Sequence, residues 1–350
     1  MAFGTLSTLD TLAASQQTIA AYGEDRAWAG ISAALDAHNA LVRDMAGELF
    51  EVSTDRQRRF GGLSATSMQE IDQYGAADAQ KTTAGVTVGF PLRLYGYTVQ
   101  WTRKYMQTAT AAELAAQFQA AQQADLAGIQ SQVKRALLVP TNATFVDRLV
   151  DNVSLAQKAL VNADGADIPP DPYGATFDGS THTHYLGTGS FANTDLDSLI
   201  NTVIEHYNDG EVRVYINKAQ EATIRGFTGF VAYVDARIIS ATSTSVGVRP
   251  LDTSNLYNRA IGVYGGAEIW VKPWVPASYV IAINTAHRPL VFRVRQAAGG
   301  FGDLQIAAED EQYPLRTRFM EREFGIGVWN RTAAAVLYTA NATYSAPTSF

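Results

Sequence analysis

Two histidines separated by a single residue lie in the stretch of sequence whose residue types best match the chemistry of a site. This stretch is Thr181-His182-Thr183-His184-Tyr185. On a β-strand His182 and His184 would point to the same face, where two imidazoles and a carboxylate such as Asp178 are able to bind a metal ion. An alternation of only two residues is a nonspecific pattern. It therefore favours the interpretation of structural hydrogen bonds over that of a metal site. We therefore assign no metal ligand from the sequence.

Signatures of other catalytic and cofactor sites are missing. The chain contains no cysteine, which excludes disulfides, thiolate nucleophiles, iron–sulfur clusters and cysteine-ligated zinc. The fragments Gly187-Thr188-Gly189 and Gly300-Phe301-Gly302 lack the third glycine of a dinucleotide-binding motif, and no P-loop or Gly-x-Ser-x-Gly motif is present. We predict no catalytic residue, no cofactor and no enzymatic activity. The alternative from a different class is a soluble metal-dependent enzyme that uses His182 and His184.

Two charged clusters are further candidates. The basic cluster contains Arg56, Arg58 and Arg59, and the acidic cluster is Glu309-Asp310-Glu311. Bidentate contacts between arginine and a carboxylate are the strong form of charged pairing. Most exposed ion pairs, however, contribute about 1 kcal/mol or less. The residues alone leave open whether these clusters bind a partner or are simply solvated.

The composition restricts the class of protein. The chain has 350 residues, of which 47% are hydrophobic and only 17% are charged, against about 25% charged in typical soluble domains. Since interface cores are depleted in charge, the deficit is consistent with broad contacts between subunits, or equally with a monomer of low charge. The net charge of −7 and the pI near 5.3 argue against a basic surface that binds nucleic acid.

Neither a secretory signal nor a membrane span is predicted. Residues 1–5 lack the basic region of a signal peptide, and no apolar run approaches the roughly 18 residues of a spanning helix. We expect a soluble, cytosolic protein with no membrane partner.

The elements that must position these residues form an α+β pattern. Residues 6–50 are predicted as two helical pieces separated by Gly23, and Glu51 to Lys81 as a long polar loop. Residues 86–105 favour strands, which together with 50–85 suggest a hairpin arm that leaves the body and returns.

The strongest helix signal follows this arm. Thr110-Ala111-Ala112-Glu113 is a capping box, and the apolar pattern continues until Pro140, which predicts a long spine helix over 110–138. Further elements are a helix over 195–207, a strand over 212–216 and alternating strands over 228–298. Residues 316–337 are predicted as long strands broken at Gly325 and Gly327.

The order of these elements resembles that of the major capsid proteins of tailed bacteriophages, which have the HK97-like fold. The stretch Phe319-Met320-Glu321-Arg322-Glu323-Phe324-Gly325-Ile326-Gly327-Val328-Trp329-Asn330-Arg331-Thr332-Ala333 looks like the end of those proteins. There an acidic residue, a glycine-rich turn and Asn-Arg precede a hydrophobic last strand. Residues 90–102, followed by the spine helix, are similar to the outgoing strand of the family's extended loop.

The resemblance implies an α+β, HK97-like capsid fold with an N-terminal arm, an extended β-hairpin loop, a peripheral domain that contains the spine helix, and an axial domain. The implied boundaries are 1–49 for the N-terminal arm, 50–105 for the extended loop, 106–190 for the peripheral domain, 191–298 for the axial domain and 299–350 for the return to the peripheral domain.

The implied function is structural. Copies of the chain would form hexamers and pentamers of an icosahedral shell around double-stranded phage DNA, which an acidic chain would enclose without sequence-specific binding. The shell would assemble in the bacterial host cytoplasm and become the virion capsid. Separate scaffold, portal and cement proteins are left open as partners. An encapsulin, the bacterial nanocompartment shell of the same fold, is the nearest alternative.

The charged residues acquire a role within this resemblance. We expect contacts between subunits from Arg56, Arg58, Arg59, Lys81, Glu309, Asp310 and Glu311. No asparagine and glutamate match the family's isopeptide crosslinking pattern, so we expect noncovalent assembly, and we expect no N-terminal segment that is cleaved.

Overall fold

The computed structural model describes residues 12–62, 68–71, 73–75, 77–81, 85–233, 258–295 and 302–350. Within these residues the chain has an α+β architecture, as predicted. The helices are α1 (Ile19–Tyr22), α2 (Glu24–Leu49), α3 (Arg103–Thr108), α4 (Ala111–Leu138), α5 (Asn193–Ile204) and α6 (Glu221–Arg225). No helix among the described residues is both long enough and apolar enough to cross a membrane.

Apart from a short 3₁₀ helix (Lys218–Gln220), strands make up the rest of the regular structure of the described residues. In chain order they are β1 (Phe50–Ser53), β2 (Gln57–Phe60), β3 (Val86–Gly89), β4 (Arg93–Thr102), β5 (Ala143–Val146), β6 (Ser154–Gln157), β7 (Tyr185–Gly187), β8 (Val212–Ile216), β9 (Val231–Ala232), β10 (Arg259–Tyr264), β11 (Ala267–Val271), β12 (Tyr279–Asn284), β13 (Leu290–Arg293), β14 (Gln305–Gln312), β15 (Leu315–Val328) and β16 (Ala334–Tyr338).

The spine helix α4 begins with the capping box that the sequence predicted. The Thr110 hydroxyl accepts from the Glu113 backbone N–H at 3.2 Å, and the Glu113 carboxylate accepts from the Thr110 N–H at 2.8 Å. The helix has 28 residues, about 42 Å at 1.5 Å per residue. Its buried face contacts two apolar clusters, one around Phe118 and one around Val133. It therefore connects two regions of the core.

Gly23 separates helices α1 and α2, as predicted. Its φ of 98° lies in the left-handed region that glycine adopts without strain. The long helix α2 begins at the next residue and packs along α4, with Ile31 and Leu35 in the same apolar cluster as Phe118.

A seven-stranded sheet is the larger of the two main sheets among the described residues. Its order is β7-β16-β12-β8-β11-β10-β9, so β7 lies at one edge. Every residue of the interior strand β12 is buried, as expected for a strand covered on both faces. The helix α5 packs on this sheet through Leu196, Leu199 and Val203. The end of α5 and the edge strand β7 are the elements that position the histidines.

The second sheet has five strands, with β15 at its centre. Its order is β1-β13-β15-β14, and β4 also pairs with β15. Because β15 is 14 residues long, its first part lies between β14 and β4, while its last part pairs with β13. The sheet thus joins strands from opposite ends of the chain.

The predicted strand break at Gly325 and Gly327 is wrong. The strand β15 continues through both residues, and Gly325 and Gly327 pair with Arg293 and Val291 of β13. A Cβ atom at Gly325 would lie 1.8 Å from the carbonyl oxygen of Pro91. Glycine is therefore present because another backbone segment passes close to the strand.

The described part of the segment predicted as a hairpin arm contains one antiparallel pair. Strand β2 pairs with β3, from Gln57 opposite Gly89 to Phe60 opposite Val86. The flanking strands β1 and β4 pair with the five-stranded sheet instead. The seven-stranded sheet likewise contains strands from both sides of the boundaries drawn at 190 and 298. The division into domains stays a prediction.

Candidate functional site

The two histidines of the sequence motif lie immediately before the edge strand β7. The backbone N–H of His184 donates to Val161 O at 2.9 Å, and its carbonyl accepts from the Val336 N–H at 2.8 Å. The backbone around His184 is therefore held from both sides by strand-like hydrogen bonds. This arrangement points the His182 and His184 side chains to one side, as predicted.

A third histidine and a glutamate meet them from the end of helix α5. Glu205 caps this helix and His206 follows it. The Nε2 atom of His206 lies 3.0 Å from Nε2 of His182 and 3.0 Å from Nε2 of His184, and the last two atoms are 3.1 Å apart. The carboxylate of Glu205 lies 3.5 Å from His182 Nε2 and 3.8 Å from His206 Nε2. We call these four residues the histidine cluster.

The surroundings of the histidine cluster orient its rings. The Nδ1 atom of His184 lies 2.7 Å from the backbone oxygen of Ala334. Since a carbonyl oxygen only accepts hydrogen bonds, this Nδ1 carries the proton and the Nε2 atom keeps its lone pair. The ring of Phe177 packs against His182 and His206, with centroid separations of 5.1 and 4.3 Å. The three Nε2 atoms are 3.0–3.1 Å apart while the ring centroids are 5.0–5.1 Å apart, so the rings approach one another through their Nε2 ends.

Burial keeps the imidazoles in their neutral form. Desolvation lowers the pKa of His206 to about 3 and lowers the pKa of His184 well below its usual value. It also lowers the pKa of the half-buried His182. Partial burial raises the pKa of the Glu205 carboxyl. The site thus offers three uncharged imidazole nitrogens and the Glu205 carboxyl group as possible ligands.

Asp178, which the sequence suggested as the acidic partner, is not part of the histidine cluster. Its carboxylate accepts hydrogen bonds from the Ser180 N–H at 2.9 Å and the Thr181 hydroxyl at 3.2 Å, so it closes the turn before the motif. Glu205 and His206 were missed because they belong to a helix end that only the fold brings to β7. Nothing in their local sequence distinguishes them.

The basic cluster has carboxylate partners within its own chain. The guanidinium of Arg56 pairs with Asp151 and lies 3.2 Å from the buried Asp147. That of Arg58 binds the two carboxylate oxygens of Glu51 at 2.8 and 2.9 Å. Arg59 is exposed and is also engaged within the chain. These contacts hold β2 against neighbouring segments.

The acidic cluster lies on a different element, the edge strand β14. Glu309 pairs with Arg318 across the sheet, and Glu311 lies 3.9 Å from Arg316. Asp310 is exposed, as is Lys81 in the segment before β3. Charged residues on an edge strand oppose uncontrolled pairing with other chains. The contacts predicted between these residues, the basic cluster and a neighbouring subunit stay predictions.

Large apolar side chains are exposed in the segment between β2 and β3. Met68, Ile71 and Tyr74 are 102%, 55% and 88% exposed. We call these three residues the apolar trio. Burial of side chains of this size stabilises a protein by about 1.5–3 kcal/mol each, so a partner that covered the trio would gain from the contact.

Comparison with known proteins identifies the fold. No protein-family model and no curated protein matches the sequence. A chain in the solved structure of Mycobacterium phage Patience matches with a TM-score of 0.67 and 21% identity, over 91% of this chain and 89% of that chain.

A chain in the capsid of the native GTA particle matches with a TM-score of 0.50 and 14% identity, over 86% of this chain and 90% of that chain. The SrpI encapsulin of Synechococcus elongatus PCC 7942 matches at a TM-score of 0.43 and 11% identity, over 89% and 91% of the two chains, a likeness too weak to support an argument. The expected α+β, HK97-like capsid fold is confirmed.

Proposed function

We propose that this chain, which has the HK97-like capsid fold, is the major capsid protein of a tailed bacteriophage. The observation that carries the proposal is the likeness to the Mycobacterium phage Patience chain along 91% of the sequence. The match to a chain of the GTA capsid supports it. Both likenesses extend over nearly the whole length of the chain. In this role the protein is a structural subunit and not an enzyme.

The surface of the chain supports assembly with further copies of itself. The apolar trio is exposed in the single chain, and charged residues are only 17% of the sequence. A neighbouring copy that covers the trio would remove its apolar surface from water, which is the main driving force of association. Hexamers and pentamers of the chain would then close an icosahedral shell.

The charge of the chain supports enclosure of DNA without specific recognition. A net charge of −7 gives the shell no overall attraction for phosphate, and basic surfaces are what give proteins their sequence-independent affinity for DNA. We infer that the shell encloses double-stranded DNA, that it assembles in the host cytoplasm, and that it forms the virion capsid. Scaffold, portal and cement proteins are candidate partners of such a shell.

The proposal predicts closed particles. We expect the purified chain, alone or coexpressed with neighbouring gene products, to form shells tens of nanometres across in negative-stain microscopy. Because we expect noncovalent assembly, boiling in denaturant should return a single monomer band. A monodisperse monomer under all of these conditions would contradict the proposal. Shells that contain a cargo enzyme instead of DNA would identify an encapsulin.

Substitution of the apolar trio tests the assembly surface. We expect the triple variant Met68→Ser, Ile71→Ser, Tyr74→Ser to reduce the yield of shells at least tenfold, because the trio would no longer remove apolar area from water on association. Its thermal midpoint as a monomer should change much less than the yield of shells does, since these side chains are exposed. The matched control is Tyr173→Ser, which removes a ring that is 86% exposed elsewhere. Equal shell yields for the triple variant and the control would rule out this surface.

A further inference from the structure

The histidine cluster has the geometry of a metal-binding site. Its three Nε2 atoms form a nearly equilateral triangle with sides of 3.0, 3.0 and 3.1 Å. An ion at the usual zinc–nitrogen distance of about 2.0–2.1 Å from all three would subtend N–metal–N angles of roughly 90–100°. A widening of the triangle by about 0.3 Å gives tetrahedral angles. The ligand atoms of all four residues lie within 4.8 Å of one another.

Hydrogen bonding between the imidazoles does not account for this convergence. The proton of His184 is on Nδ1, where it is donated to Ala334 O. At most two Nε2–H groups, those of His182 and His206, then remain for three contacts of 3.0–3.1 Å. A cation placed between the three lone pairs would stabilise all of them at once.

We propose that His182, His184, His206 and Glu205 bind one Zn²⁺ ion in each subunit. Four protein ligands close the coordination shell, which is the arrangement of structural zinc sites, whereas catalytic sites keep one position open for water or substrate. The ion would link the segment before β7 to the end of α5. It would thus fix the edge of the seven-stranded sheet to the helix that packs on it.

The positions of the four ligands suit a cation that enters from solvent. His184 and His206 are buried at the base of the cluster, while Glu205 is 39% exposed at its rim. The cluster also lies at the carboxyl end of α5, where the helix dipole favours positive charge. Three imidazoles select zinc and similar transition metals over Mg²⁺ and Ca²⁺, which prefer oxygen ligands.

The hydrogen bond from His184 Nδ1–H to Ala334 O also supports the metal site, although Ala334 is not a ligand. Histidines that bind metals commonly donate their other ring N–H to a carbonyl or carboxylate, which fixes the tautomer. This contact joins the cluster to β16, the strand next to β7. Zinc binding should therefore stabilise the sheet and not only the local loop.

The experiment is a titration of the chelator-treated, full-length protein with Zn²⁺, and with Co²⁺ as a spectroscopic probe. We expect one Zn²⁺ per chain, a rise in thermal midpoint of about 4 °C at a hundredfold excess over the dissociation constant, and the intense visible absorption of tetrahedral Co²⁺. Mg²⁺ should produce neither effect. Absence of stoichiometric Zn²⁺ binding would overturn the proposal.

Variants distinguish Zn²⁺ binding at the histidine cluster from nonspecific Zn²⁺ binding to surface histidines. We expect His206→Gln and the half-buried rim variant His182→Gln each to weaken Zn²⁺ binding at least about 100-fold and to abolish the shift in thermal midpoint. The control is His287→Gln, which changes a histidine that pairs with Asp209 outside the cluster. It should bind Zn²⁺ like the unchanged protein.

The variant His182→Gln tests the site even if the buried variant His206→Gln does not fold. Retention of full Zn²⁺ affinity in folded His182→Gln would contradict the proposal. The site does not depend on assembly, so the titration gives the same answer for a monomer and for a shell. A zinc-bound monomer with hydrolytic activity would point to the metal-dependent enzyme instead.

Discussion

Replacement of Gly325 by alanine is expected to destabilise the protein by about 3 kcal/mol, the upper part of the usual range for overpacked positions. The new Cβ atom would lie 1.8 Å from Pro91 O and 3.2 Å from Leu92 N. Both are backbone atoms, so no side-chain rotation relieves the clash. The segment before β4 would have to move away from β15, at a point where β15 is also paired with Arg293 of β13.

The measurement is the free energy of unfolding of the monomer in urea, with Gly128→Ala as the matched control. Gly128 lies inside the spine helix α4, and a Cβ atom there would meet no heavy atom within 4 Å. That substitution should stabilise the protein by about 0.5–1 kcal/mol, because alanine loses less backbone entropy in a helix than glycine does. If both variants unfold at the same urea concentration, the close approach of the Pro91 backbone to Gly325 is contradicted.

Loss of the charge on Asp125 should have a comparably large effect. We expect Asp125→Asn to cost about 3–5 kcal/mol, the range found when one member of a buried ion pair is removed. The Asp125 carboxylate lies 2.8 Å from Arg322 Nε and 2.7 Å from His38 Nε2. Arg322 is only 1% exposed, and burial lowers its pKa below the usual value. Without the carboxylate its buried guanidinium would lose its direct ion-pair partner.

The matched control is Glu323, the acidic residue next to Arg322 in β15. Glu323 pairs with Arg295, whose side chain is 50% exposed. Since water solvates the charge that remains, we expect Glu323→Gln to change the free energy of unfolding by about 1 kcal/mol or less. Unfolding in urea at neutral pH compares the two variants directly. A cost for Asp125→Asn no larger than that of the control would show that the buried pair does not stabilise the fold.

Arg322 illustrates a role that its sequence context did not suggest. It belongs to Glu321-Arg322-Glu323, a run that has the appearance of a solvated surface. In the structure its guanidinium contacts Asp125 of α4, Asn39 of α2 and the backbone of Gly302 in the loop before β14. The alternation of β15 points Arg322 inward while its acidic neighbours point outward.

The sequence by itself determined the elements whose signals are local. The capping box at Thr110 and the helix boundary at Gly23 depend on residues within one turn of each other, and both were predicted correctly. The α+β class and the HK97-like fold could also be predicted, because the order of helices and strands along the chain is itself a one-dimensional property.

Only the tertiary structure decided which side chains meet. His182 and His184 were visible as a pair, but Glu205 and His206 joined them because α5 packs on the sheet whose edge is β7. Gly325 was interpreted as a strand break. The Pro91 carbonyl, which leaves no room for a side chain there, is distant in sequence and could not be inferred from the local pattern. Contacts of this kind leave no periodic or adjacent pattern in the chain, since they arise from packing between elements and not from the conformation of either one alone.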